Sequence, residues 1–103
     1  MSVTIHAGGD EELQVSNANF SKLWRALGIG TNNEDFDFAG EIETEVLREQ
    51  VAAFDMQLVV RKSFGLRDGW GGITNDQAAY YSEALKDVIL DADLLGTFTI
   101  HWA

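Results

Sequence analysis

Residues 74–96 constrain this chain most, because they carry a helix pattern together with its own start and stop signals. Apolar residues recur at Ala78, Tyr81, Leu85, Val88, Ala92 and Leu95, at spacings of three and four that line one face of an α-helix. Thr74 can accept a hydrogen bond from the backbone N–H of Gln77 while the Gln77 side chain reaches back, a capping box. Asp76 in the first turn complements the positive end of the helix dipole, and Gly96 can take the left-handed conformation that closes a helix. Residues 97–102 then alternate as a strand does, with Phe98, Ile100 and Trp102 on one side and Thr97, Thr99 and His101 on the other. So apolar a stretch must pair in a sheet, since an unpaired edge of this kind aggregates.

The earlier chain supplies what this helix and strand pack against. Residues 2–6 alternate, residues 7–11 with Gly8 and Gly9 read as a hairpin loop, and Leu13 and Val15 lead a second strand. Residues 16–19 offer several N-caps before Phe20, Leu23, Trp24 and Leu27, which fall at i, i+3, i+4 and i+7. Gly28 ends that helix, with Ile29 placed for the apolar contact of a Schellman closure. Residues 36–42 alternate as a third strand. Leu47, Val51, Phe54 and Leu58 then predict a helix over 43–62, with Glu43 and Glu45 at its start and Arg61 and Lys62 at its end. Leu58, Val59 and Val60 are β-prone, so a break near Asp55 followed by a strand over 56–62 stays open as an alternative.

These elements predict one α+β domain over residues 1–103. Its small, mainly antiparallel sheet has three or four strands and packs on one face against three helices. The expected core is Phe20, Leu23, Trp24, Leu27, Leu47, Val51, Phe54, Leu85, Val88, Phe98 and Ile100. A homodimer is a further option, because one layer of helices leaves a sheet face uncovered.

Composition narrows the function. The chain has 103 residues, enough to bury a core without disulfide or metal staples, and its 0 cysteines exclude thiolate chemistry. Residues 1–6 lack the basic region and apolar run of a signal peptide, and no segment approaches the roughly 18 apolar residues of a membrane span. The expectation is a soluble cytoplasmic protein without membrane contact. Seventeen acids against seven bases give a net charge of −10, which repels phosphate backbones and disfavours direct nucleic-acid binding. The partners such a surface attracts are basic, either a positively charged protein groove or a cation.

No enzymatic constellation stands out, and the expectation is that the chain is not an enzyme and carries no cofactor. There is no Ser-His-Asp spacing, no histidine pair on a helix face and no glycine fingerprint after a strand. Asn33, Asp35 and Asp37 invite a calcium loop, but the sixth and twelfth positions hold Phe38 and Thr44 where the EF-hand needs Gly and Glu. A small carboxylate- or histidine-based enzyme is the alternative. His6 and His101 could meet only if their strands are neighbours, and would then allow a site of two histidines and one carboxylate.

Binding draws on two features. The acids Glu34, Asp35, Asp37, Glu41, Glu43, Glu45 and Glu49 crowd residues 34–49, against which a merely solvated surface is the bland reading. Asp68, Gly69, Trp70, Gly71 and Gly72 set a large aromatic among flexible residues, either presenting Trp70 to a partner or folding it back to plug the core. A phosphate-cradling loop is disfavoured, because Asp68 and Asp76 would repel the anion and the Gly-Lys-Ser/Thr ending is missing. The candidate partner-binding residues are therefore Trp70, Asp68, Glu34, Asp35, Asp37, Glu41, Glu45 and Glu49, with no metal ligands assigned.

Residues 16–19 (Ser-Asn-Ala-Asn), Leu23, Leu27 with Gly28, residues 39–42 (Ala-Gly-Glu-Ile) and Trp102 with Ala103 together resemble a set of small bacterial and phage proteins. The similarity is loose and spans residues 13–103. It implies a bacterial or phage origin and carries over no functional residues. In that setting it suggests a small acidic protein that inhibits a basic, nucleic-acid-binding host complex by protein–protein contact. An oligomerisation or structural domain is the alternative.

Overall fold

The computed structural model describes residues 2–29, 40–65 and 72–103. In chain order they form β1 (Ser2–His6), β2 (Glu12–Ser16), α1 (Asn17–Ala26), β3 (Gly40–Glu43), α2 (Thr44–Ser63), α3 (Asn75–Leu95) and β4 (Thr99–Trp102). The four strands make one antiparallel sheet in the order β2-β1-β4-β3, so the predicted α+β class holds. Strand alternation sorts the two faces. Val3, Ile5, Leu13, Val15 and Ile100 are buried, whereas Ser2, Glu12, Gln14, Ser16, Glu41, Glu43 and His101 are exposed on the opposite side. That open face is polar, so it does not need the covering that an apolar face would.

Local chemistry explains where the helices begin and end. Ser16 caps α1, its hydroxyl accepting from the Asn19 N–H at 3.2 Å, and Phe20, Leu23, Trp24 and Leu27 are all buried. Gly28, at φ 74°, donates to the Arg25 carbonyl while Ile29 donates to that of Trp24, both at 3.0 Å. This is the Schellman closure that the Gly28-Ile29 pair predicts. In α3 the capping box is complete, with Thr74 and Gln77 exchanging two bonds of 3.1 Å, and Gly96 closes the helix at φ 72°.

α2 is continuous, and the strand alternative over 56–62 does not occur. Helical continuation keeps Leu58 on the buried stripe of Leu47, Val51 and Phe54, at the cost of exposing Met56, Val59 and Val60. Packing of one stripe outweighs the β-propensity of two valines. The start of α2 lacks a side-chain cap. Instead the Thr44 N–H donates to the Phe98 carbonyl at 2.9 Å and the Thr44 hydroxyl to the Thr97 carbonyl at 3.4 Å. These bonds stitch α2 to the segment that leads into β4.

Two apolar expectations fail at this same place. Phe98 is 85% exposed and does not join the core. The strand begins at Thr99, so Phe98 belongs to the connector between α3 and β4, where its carbonyl accepts from the Thr44 N–H and its ring lies beyond the core. Leu95, predicted on the buried stripe of α3, is half exposed because it is the last helical residue before the Gly96 turn. The other predicted core residues are buried. The third strand is β3, and its predicted residues 36–39 lie outside the described residues.

Trp102 closes the core at the sheet. It is half-buried, with its ring centre 5.3 Å from that of Trp24 and 6.0 Å from that of Phe20. Gly40 lies directly opposite on β3, and a Cβ there would stand 2.7 Å from the Trp102 ring. The missing side chain is what lets the indole lie over the edge strand.

Candidate functional site

α2 and α3 pack antiparallel, which brings the first turn of α2 beside the last turn of α3. Arg48 bridges them. Its Nη1 and Nη2 donate to Asp93 at 3.1 and 2.6 Å, a bidentate fork, and its Nε donates to Glu45 at 3.2 Å. The Arg48 bonds hold the Asp93 carboxyl below its ordinary range, and the same partners raise the Arg48 guanidinium.

Beside this bridge opens a cleft of about 430 Å³, lined by Glu43, Glu45, Asp93, Thr97 and Phe98 among others. Phe98 is 85% exposed, and Leu94 and Leu95 add exposed apolar surface at the same end of the helix pair. The result is an apolar prominence rimmed by carboxylates. Sequence reasoning missed Phe98 by assigning it to the strand. Glu43 belongs to the acidic run of residues 34–49 but not to the candidate binding residues, and no local sequence signal marks Asp93.

The candidate partner-binding residues distribute as follows. Trp70, Asp68, Glu34, Asp35 and Asp37 lie outside the described residues. Glu41 projects on the open face of the sheet, beside His101. Glu45 and Glu49 lie on exposed positions of α2. The acidic run therefore does not form one patch among the described residues, because the strand's alternation gives way to the helical period at Thr44.

A second groove, about 280 Å³, runs between the outer sides of α2 and α3, with Ala52, Ile89 and Leu90 on its walls. The Asp55 carboxylate there accepts from Ser82 and pairs with Lys86. Partial burial opposes ionisation of Asp55, but the Lys86 and Ser82 bonds prevail and hold its pKa below the ordinary value. A carboxyl depressed on folding adds stability above its unfolded pKa and loses it as the pH falls through the folded one. Asp55→Asn should therefore cost about 1 kcal/mol or less at neutral pH, since the pair is partly solvated. The difference from wild type should shrink to nothing in acid, as read by urea denaturation at several pH values.

On the open sheet face, the strand registers align one row across all four strands: Glu12, His6, His101 and Glu41. The condition set by the sequence is met, since β1 and β4 are neighbours and His6 stands opposite His101. Their ring centres are 6.0 Å apart, and His101 Nδ1 lies 3.8 Å from a Glu41 oxygen. No three histidine or carboxylate groups converge on a common metal position among the described residues. No helix among them is long and apolar enough to cross a membrane. No protein-family model matches the chain, nor does any curated protein or solved structure.

Proposed function

We propose that this protein works by protein–protein contact, docking its acidic, Phe98-bearing end on a basic surface of a partner protein. The partner class is a protein with a cationic nucleic-acid-binding groove, and occupying that groove would inhibit it. The observation that carries the reading is Phe98, 85% exposed at a cleft with Glu43, Glu45 and Asp93. Its backbone is already tied by a hydrogen bond from Thr44, so docking would cost mainly side-chain rotamer freedom, and burying the ring in a partner is worth about 1.5–3 kcal/mol. Glu43, with the net negative charge that Glu45 and Asp93 keep after sharing Arg48, would steer a basic surface onto it and repel a competing acidic one. The net charge of −10 acts in the same direction over a longer range.

The test is affinity capture from bacterial lysate at low and high salt, followed by direct binding to the purified partner. Support requires a basic nucleic-acid-binding protein that is captured at low salt, lost at high salt and displaced by duplex DNA. Phe98→Ala should weaken the direct binding about tenfold or more. Binding that ignores both salt and Phe98→Ala would dismiss the proposal. So would self-association through the exposed Met56, Val59 and Val60 of α2 as the sole interaction seen in sedimentation.

A further inference from the structure

We propose that His6 and His101 together chelate one divalent transition-metal ion on the open face of the sheet. The backbone places them. Thr4 and Ala103 exchange both hydrogen bonds, at 2.8 and 3.1 Å, so alternation makes His6 and His101 the next hydrogen-bonded pair, with both side chains on one face. With metal–nitrogen bonds of about 2.0–2.1 Å, two imidazoles on one ion have ring centres roughly 5–6.5 Å apart. The observed separation is 6.0 Å, at an interplanar angle of 32°. Little more than side-chain rotation is needed for the two rings to share an ion.

The nitrogens are differently committed. His101 turns Nδ1 toward Glu41, which leaves Nε2 to ligate and gives the ring a carboxylate partner behind it. His6 Nδ1 accepts from the Gly8 N–H at 3.1 Å. Coordination there replaces that bond, and the exposed Gly8 amide can turn to water. Coordination at Nε2 instead moves the ring proton to Nδ1. Because no third group among the described residues converges on the pair, the ion would keep water at its remaining positions, where a partner's side chain could enter. Two imidazoles select ions of the copper, nickel and zinc kind, with copper(II) tightest, over calcium or magnesium, which need oxygen ligands. The net charge of −10 raises the local concentration of any cation.

Titration calorimetry with copper(II), nickel(II), zinc(II) and magnesium chlorides tests this, together with the imidazole proton signals on adding nickel(II). Wild type should take up one equivalent of copper(II), with nickel and zinc weaker and magnesium silent, and nickel should broaden His6 and His101 together. His6→Ala and His101→Ala, both on the open face, should keep the metal-free circular dichroism spectrum and each lose at least tenfold in copper affinity. Glu41→Gln should retain the stoichiometry while weakening binding several-fold. Absence of uptake by wild type would refute the site, as would either alanine variant binding copper as tightly as wild type.

Discussion

Phe20→Ala is expected to destabilise the fold by about 3–5 kcal/mol, the usual cost of emptying an aromatic site in a core. Phe20 has 0% exposure and stacks at 4.6 Å on Trp24, with Trp102 at 6.0 Å. These three rings join α1 to β4, so the cavity would open at the seam between a helix and the sheet rather than at a periphery that could collapse. Domains of this size are stable by about 5–15 kcal/mol, and the variant would forfeit a large part of that. Urea denaturation followed by tryptophan fluorescence and far-UV circular dichroism reads the change. The same substitution at Phe98 should move stability by no more than about 0.5 kcal/mol, because its ring packs on so little. If the two variants melt alike, the assignment of Phe20 to the core and Phe98 to the surface is wrong.

Removing Trp102 and Ala103 is expected to cost about 3 kcal/mol or more, from two sources that act together. The first is the half-buried indole, which covers Gly40 and packs on Trp24 and Phe20. The second is the pair of backbone bonds between Thr4 and Ala103, whose loss leaves an inner strand with unanswered polar groups. Trp102→Ala keeps those backbone bonds and should recover part of the loss. A truncated chain with an unchanged melting temperature would mean that β4 does not hold β1 and β3 together.

What could be read from the sequence was what depends on neighbours a few residues away. The Thr74–Gln77 capping box, a cap among residues 16–19 (which falls on Ser16) and the Gly28-Ile29 closure are all contacts within one turn, and each occurs. The stripes of α1 and α2 were legible because helical period and burial coincide. Alternation alone puts Phe98 on the buried side of β4, but whether core lies over that end of the strand depends on where distant elements pack, and Phe98 falls beyond them. The row Glu12, His6, His101 and Glu41 was legible only as a condition, since strand order is a property of the whole fold. The acidic run was evident as composition, but its division between sheet and helix surfaces followed from a change of period that a charge count does not contain.

The position of β4 also bears on how the molecule is made. Of the four strands it is the last synthesised, yet it lies inside the sheet, between β1 and β3. The β1–β2 hairpin and the α2–α3 pair need only nearby partners and can assemble while the chain emerges. The sheet cannot become continuous until residues 99–102 arrive and slot between two waiting edges. Joining β1 to β4 closes a loop that spans nearly the whole sequence, the kind of contact that forms last and most slowly. Until those residues arrive, the β1–β2 hairpin and β3 remain separate pieces of sheet.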